Sequence, residues 1–422
     1  MLSDKEKKMA ETLRNKVLDI LEYEGEASDE RIEELVSKTI SEEMKNDFLP
    51  YHRRIQVGQE IFNSLRKLDI LQNLIDNPAI TEIMVNGTEA IFVEENGRIR
   101  RLEQCFESEE KLKNIIQIVV GKCNRVVNDM SPIVDARLEN GSRVNVVLNP
   151  VALNGPILTI RRFPEKPFDM EKLKEFGAIT QDAADFLRKL VIAGYNILVS
   201  GGTGSGKTTF LNALSGYIPK DERIITIEDS AELQLLGIEN LIRMETKNAN
   251  TETGKSISIR DLIKTSLRMR PDRIIVGEVR GEEAMDMICS AMNCGHDGSM
   301  STVHSNSAVD TLLRVETMIL MAAQIPVSAI RRQVSSGIDI IVHLGRLRDK
   351  TRKVLEIVEI TGMDGEHIVV NSLFEFKETS NSSNEHVIGN LVKIGELRNV
   401  AKMQAAYIPV KENGDCLPEN RL

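Results

Sequence analysis

Gly201-Gly-Thr-Gly-Ser-Gly206-Lys207-Thr208 sets glycines, a lysine and a hydroxyl at the G-x-x-x-x-G-K-[ST] spacing. The chemistry that spacing suits is the gripping of a nucleotide's phosphates. Gly201, Gly202, Gly204 and Gly206 let successive N–H groups approach phosphate oxygens with no Cβ in the way, and Thr203, Ser205 and Thr209 belong to the same nucleotide-contacting stretch. Lys207 is spaced to reach the β- and γ-phosphates, and the Thr208 hydroxyl to ligate Mg²⁺. The flanks fit: NILVS (196–200) reads as a strand entering the loop. KTTFLNALSG (207–216) reads as a helix leaving it, with its N-terminal partial charge aimed at the same anion. A Gly-rich turn that binds nothing is the alternative, and the strand–loop–helix context argues against it.

Phosphate chemistry also needs a carboxylate at the end of a neighbouring strand. Ile274-Ile-Val-Gly-Glu278 supplies Glu278, with Gly277 where an aspartate is usual. Glu278 is a candidate to polarise the attacking water or to hold the metal through water; capping a helix is the bland alternative. Glu228, Asp229 and Glu232 follow a second strand, 224–227, expected beside the P-loop strand. One of them, Glu228 first, is a candidate base or metal-associated ligand, and an N-cap cluster is the alternative. His296 and His304 stand eight apart across a Gly-containing turn. Zinc is poorly supported there, since no Cys spacing matches; sensing of a γ-phosphate fits better. Arg137, Arg143, Arg161 and Arg162 precede the loop, with Arg268 and Arg270 as a second group. They read as solvated faces or as cations that neutralise a γ-phosphate.

The elements that must position these groups divide the 422 residues into several parts. Residues 1–77 read as amphipathic helices, two in 1–50 and one over 61–75, with Ser28 or Asp29 as a cap. The first 50 residues hold 8 basic and 14 acidic side chains. Residues 78–163 show short strands, Asn-Gly turns and a helix at 109–120, the texture of a small α+β domain. Residues 164–180 form a linker that begins with the stiff Pro164-Glu-Lys-Pro. Residues 181–376 alternate strand and helix as in a doubly wound parallel sheet, with helices at 182–193, 207–215, 259–267 and 282–292. Residues 377–422 read as a weakly ordered tail with one short helix at most.

Fifty-four Lys and Arg against 64 Asp and Glu give a net charge of −10, which disfavours a protein built to coat nucleic acid or an anionic membrane. No apolar run approaches the roughly 18 residues of a membrane span, and the charged N-terminus has no h-region, so a cytoplasmic location is expected. The five cysteines form no CxxC pair and read as reduced, mostly buried thiols.

The ordered set DARLENGSRVN (135–145), TIRRF (159–163), GGTGSGKTT (201–209), ITIEDSAEL (225–233), RMRPDRIIVGEVRGEEA (268–284) and CGHDGSMSTVHSNS (294–307) resembles the type II/IV secretion system ATPases, most of all the Tad-pilus (CpaF-type) branch. The resemblance implies a PAS-like N-terminal domain, a RecA-like C-terminal ATPase domain and hexameric rings with nucleotide between the domains. Its aspartate box falls on Glu228, Asp229 and Glu232, its Walker-B glutamate on Glu278, its histidine box on His296 and His304, and its inter-domain arginines on Arg137, Arg143, Arg161 and Arg162. Gly277 agrees with that family. The four-Cys insertion of the type II pseudopilus branch is missing. The implied cofactors are ATP and Mg²⁺. The implied activity is an ATP-driven motor for pilus assembly or secretion, working with inner-membrane platform proteins and associated peripherally with the membrane, with no direct nucleic acid. A RecA-type nucleic-acid translocase, a conjugation traffic ATPase and a non-hydrolysing nucleotide-binding scaffold are the rivals; the low aromatic content, 4%, weighs against the translocase.

Overall fold

The computed structural model describes residues 4–24, 28–43, 49–66, 68–95, 97–123, 125–138, 141–162, 167–247 and 256–409. The chain divides into two compact units, Met1–Glu165 and Lys166–Leu422.

In the first unit, helices α1 (Asp4–Glu24), α2 (Asp29–Glu43) and α3 (Tyr51–Arg66) share an apolar cluster that includes Leu13, Val17, Leu35, Val36, Val57 and Ile61. Ser28 is the cap of α2, its Oγ accepting from the Arg31 N–H at 3.3 Å. The helix expected over 61–75 is instead the end of α3 and a separate α4 (Ile70–Asp76), because Asp69 at φ 51° turns the chain out of the helix. Strands β1 (Ile80–Asn86), β2 (Ala90–Glu95) and β3 (Arg98–Arg101), helix α5 (Glu109–Lys122), and strands β4 (Ile133–Arg137), β5 (Arg143–Val147) and β6 (Ile157–Arg161) make a six-stranded antiparallel sheet in the order β3-β2-β1-β6-β5-β4. Period-two alternation puts Ile83, Val85, Val144, Val146, Leu158 and Ile160 in one core with Leu112 and Ile116 of α5. This is the expected α+β architecture.

The second unit opens with α6 (Met170–Glu175) and α7 (Gln181–Ile192), then β7 (Ile197–Gly201), α8 (Lys207–Ser215), β8 (Ile224–Glu228), β9 (Leu241–Glu245), α9 (Ile259–Ser266) and β10 (Arg273–Val279). The helix expected at 282–292 is a short α10 (Glu283–Met285) continuing as a π-helix, Asp286–Met292. There follow β11 (Met300–His304), α11 (Ala308–Ala322), α12 (Val327–Gly337), β12 (Ile340–Arg346), β13 (Arg352–Asp364), β14 (His367–Glu378), β15 (Gly389–Lys393) and α13 (Ala401–Ala405). The described strands form one sheet in the order β15-β14-β13-β12-β7-β11-β10-β8-β9. From β12 to β9 the pairing is parallel; β13, β14 and β15 join antiparallel.

β7 is buried along its whole length and therefore reads as a continuous apolar run, as a central parallel strand must. Its residues alternate between two cores: Ile197 and Val199 face Phe210, Leu211 and Leu187, while Leu198 faces Ile225, Ile274 and Ile341.

Four readings need correcting. β8 does not lie beside β7: β11 and β10 intervene. β11 was not anticipated, because Met300-Ser-Thr-Val-His304 carries hydroxyls where a buried strand usually carries apolar groups. Those hydroxyls are accommodated; Thr302 Oγ1 donates to the Gly277 carbonyl at 2.8 Å. The segment after Lys377 is not a loose tail through residue 409. Leu391 and Met403 are buried in the second unit's core, and Tyr195 Oη donates to the Asn399 carbonyl at 2.6 Å. Residues 163–166, at the start of the expected linker, and 410–422, at the end of the tail, lie outside the described residues. The cysteines are not mostly buried: Cys105 and Cys294 are exposed and lie in loops, while Cys123, at the end of α5, and Cys289, within the π-helix, are partly exposed; Cys416 lies outside the described residues.

Phe210 is 1% exposed on the helix that the loop feeds. Phe210→Ala is expected to cost on the order of 3–5 kcal/mol, measured as a lowered urea midpoint of unfolding.

Candidate active site

The loop between β7 and α8 follows a path that glycine permits. Gly201, Gly204 and Gly206 sit at φ 152°, 71° and 93°. A Cβ on Gly201 would also run into the Leu344 carbonyl. Ser205 Oγ donates to the Gly202 carbonyl at 2.9 Å and tightens the turn. Lys207, 7% exposed, folds back over it: Nζ donates to the carbonyls of Gly201 and Gly202, each at 3.1 Å. Thr208 and Thr209 occupy the first turn of α8.

β11 pairs with β7 so that His304 lies opposite Gly201. This register carries the His304 ring to Lys207, whose Nζ is 3.2 Å from Nδ1, and to Glu278, whose Oε1 is 2.8 Å from Nε2. Burial lowers the His304 pKa below its ordinary value; the Glu278 carboxylate pulls the other way and the Lys207 charge adds to the fall. The imidazole is thus neutral near pH 7. Lys207 Nζ is also 3.3 Å from Nε2, so the neutral ring stands between the ammonium and the Glu278 carboxylate. Arg280, two residues on, donates from Nη2 to the other Glu278 oxygen at 2.6 Å. The result is an ordered line of charge: ammonium, neutral imidazole, carboxylate, guanidinium. Arg280 was missed by sequence reasoning, although period-two spacing from Glu278 places it on the same side of the chain.

Glu228 ends β8, next to β10, and is 2% exposed. Its Oε2 accepts from the backbone N–H groups of Glu232 at 2.6 Å and Leu233 at 2.7 Å, in a segment that starts no helix. Its Oε1 is buried and makes no hydrogen bond among the described residues. Burial pushes its pKa up to about 7 against the pull of those N–H groups. Gly277 now has a physical reason. A Cβ there would stand 3.0 Å from Glu228 Cγ, so the missing side chain makes room for a carboxylate from the next strand. The orphaned oxygen of Glu228, the Glu278 carboxylate and the Thr208 hydroxyl are hard oxygen donors of the kind Mg²⁺ takes.

Not every expected residue comes to this place. Asp229 is exposed, with Oδ1 accepting from Thr246 Oγ1 at 2.8 Å, and Glu232 contributes its backbone N–H to Glu228. His296 is not brought to the loop: its Nδ1 is 3.1 Å from the Pro271 carbonyl, ahead of β11, about 16 Å of strand from His304. Arg268 and Arg270 precede β10 and so lie at its end away from Glu278. In the first unit, Arg137 stands opposite Arg143 and Arg143 opposite Arg161, so three arginines form one row across β4, β5 and β6. Arg162 leaves that row; its Nη1 donates to the carbonyls of Asn77 and Ile80 and ties down the start of β1.

A glycine cradle fed by a central parallel strand, a buried lysine across it and carboxylates from the neighbouring strand ends define the second unit as a RecA-like P-loop domain. The chain belongs to the type II/IV secretion system protein family, whose profile matches residues 64–414. It is 33% identical to a putative conjugal transfer protein of Mycobacterium tuberculosis, over 70% of this chain and 85% of that protein. It is also 33% identical to the type IV secretion system protein PtlH of Bordetella pertussis, over 69% and 93%. The fold is similar to the pilus retraction motor PilT, solved with bound ADP, at TM-score 0.50 and 21% identity, covering 81% of this chain and 88% of that one.

A carboxyl carried from 4.5 to about 7 by folding destabilises the native state once ionised, by roughly 3 kcal/mol at 1.36 kcal/mol per tenfold change. The folded state binds this proton more tightly than the unfolded state, so stability falls as pH rises from about 4.5 through 7. Glu228→Gln should lack this contribution. Its thermal midpoint should match wild type near pH 5 and exceed it at pH 8, as read by calorimetry across that range.

Proposed function

We propose that this protein is an ATP-hydrolysing motor that drives assembly of a Tad or type IV-like pilus, or protein secretion, through inner-membrane platform proteins. The observation that carries the catalytic part is the Lys207–His304–Glu278 line across the phosphate loop, at 3.2 and 2.8 Å. ATP offers Lys207 phosphate oxygens in place of the two loop carbonyls it now holds. Neutral His304 offers its single ring N–H to the γ-phosphate, and Glu278 orients the attacking water and takes its proton as the bond from the γ-phosphorus to the ADP oxygen breaks. Thr208, with Glu278 and Glu228 through water, would hold Mg²⁺, which supplies charge neutralisation when bound. The motif set and the family membership support the motor reading. The charge-neutralising part given to Arg137, Arg143 and Arg161 of the first unit rests on the family resemblance. A ring of copies, six by family resemblance, is part of this reading, as is peripheral attachment at the inner face of the membrane through partners. Among the described residues no helix is long and apolar enough to cross a membrane.

A second reading, a traffic ATPase of a conjugation system, is favoured by the names of the mycobacterial relative and of TrbB from Rhizobium radiobacter, which is 30% identical over 72% of this chain and 91% of that protein. ATP-dependent retention of single-stranded DNA in a gel shift supports it over the pilus reading.

Lys207→Ala should abolish ATP turnover. Glu278→Gln should lower it about 100-fold or more while ATP binding persists. Phosphate release and equilibrium nucleotide binding measure the two effects. Wild-type turnover by Glu278→Gln removes that residue from the mechanism. Turnover that rises with protein concentration in step with mass supports the ring.

A further inference from the structure

β12 is buried from Ile340 to Leu344, and a strand buried on both faces is ordinarily filled with apolar side chains. His343 breaks that run and is 5% exposed within it. A buried imidazole is costly unless its ring nitrogens find partners, and here they do. In the parallel register His343 lies opposite Ser200, the residue before the phosphate loop, and its Nδ1 is 2.9 Å from Ser200 Oγ. The ring also hydrogen-bonds to the backbone of Asn306. β7 lies between β12 and β11 in the sheet, so the ring reaches past β7 to the turn that follows β11.

The next strand makes a second tie to the same turn. Glu356 on β13 is directly opposite His343, so the two side chains share one face of the sheet. Glu356 Oε1 accepts from the Ala308 N–H at 2.6 Å, one of the donors that the first turn of α11 cannot satisfy within the helix. A carboxylate also suits the positive end of that helix. These ties matter because His304 is the last residue of β11, and the ladder with β7 holds nothing beyond it. The direct contact from the turn to the phosphate loop is long, 3.4 Å from the Ser305 N–H to the Gly201 carbonyl. The Ser305 and Thr311 hydroxyls, 2.7 Å apart, join the turn to α11, so a shift at Ala308 is passed to the residue beside His304.

We propose that His343 and Glu356 are positioning residues for ATP hydrolysis. From β12 and β13 they hold the turn after β11 against the phosphate loop, and so set where the His304 ring stands relative to a γ-phosphate. Both act through His304. The consequence is a separation of effects. ADP has no γ-phosphate for His304 to reach, and the glycine cradle and Lys207 remain in place, so ADP binding is insensitive to the pair while ATP turnover is not. The inference rests on the hydrolysis reading given above and assigns residues that reading does not use.

The test is steady-state ATP hydrolysis by the full chain, with calorimetric titration of ADP and Mg²⁺ and a thermal midpoint for each variant. His343→Leu should lower kcat about tenfold, the size of one lost hydrogen-bonded tie. ADP affinity and KM for ATP should stay within about twofold of wild type. His343→Gln, which keeps a donor and an acceptor, should recover part of kcat. Glu356→Gln keeps an acceptor for the Ala308 N–H and should lose less than Glu356→Ala. A cycle with His304→Ala separates positioning from general support of the fold. Adding His343→Leu or Glu356→Ala to His304→Ala should lower the residual kcat no further, because the pair has nothing left to position. Should His343→Leu fail to fold, His343→Gln and Glu356→Ala carry the same cycle. The inference falls if the effects multiply in the His304→Ala background, or if ADP affinity drops in step with kcat. It falls too if His343→Leu and Glu356→Ala keep wild-type kcat while His304→Ala loses it. Wild-type turnover by His304→Ala overturns the part given to His304 in the hydrolysis reading, and this inference with it.

Discussion

A lysine ammonium that is 93% buried has to be compensated, and the architecture of the second unit around Lys207 follows from that need. Two loop carbonyls take two of its donors and the His304 ring takes another, while the Glu278 carboxylate stands 2.8 Å beyond that ring. These are contacts a phosphate can replace, since its oxygens accept as well as carbonyls do and carry more charge. The site is thus held together without ligand by interactions of the kind the ligand would make. The glycines keep the loop narrow enough for this, and the central position of β7 keeps it in place.

Glu228 shows a different constraint. A carboxyl buried next to a second carboxylate-bearing strand end is costly to ionise, and its pKa near 7 expresses that cost. One oxygen is satisfied by the backbone at residues 232 and 233, and the other is left over. Gly277 makes the arrangement sterically possible. The feature that weakens the strand-end motif in one dimension, a glycine in place of an aspartate, is in three dimensions the space that admits a carboxylate from the adjacent strand. The site gathers Glu228 from β8, Glu278 from β10 and the neutral His304 from β11 around a loop that β7 and α8 fix.

The chain itself dictates what is local. The eight-residue loop, the all-apolar β7 and the helix after it are contiguous, so glycine conformational freedom, strand periodicity and the helix N-terminus could be read together, and α8 lies where its sequence puts it. The sheet of the first unit was readable for the same reason, since alternation in β1, β5 and β6 and the Asn-Gly turns are short-range signals. Strand order, by contrast, is a choice among long-range pairings that no single segment encodes. It put β11 beside the loop, set two strands between β7 and β8, left His296 and Arg268 ahead of β11 and β10 at the ends away from the loop, and added β15 to an edge. It also brought Arg280, out of a chain with 54 basic residues, to the Glu278 carboxylate. Which cation or carboxylate stands near the loop is decided by register across a sheet, and register is fixed when the sheet's apolar residues are buried against the elements packed on it.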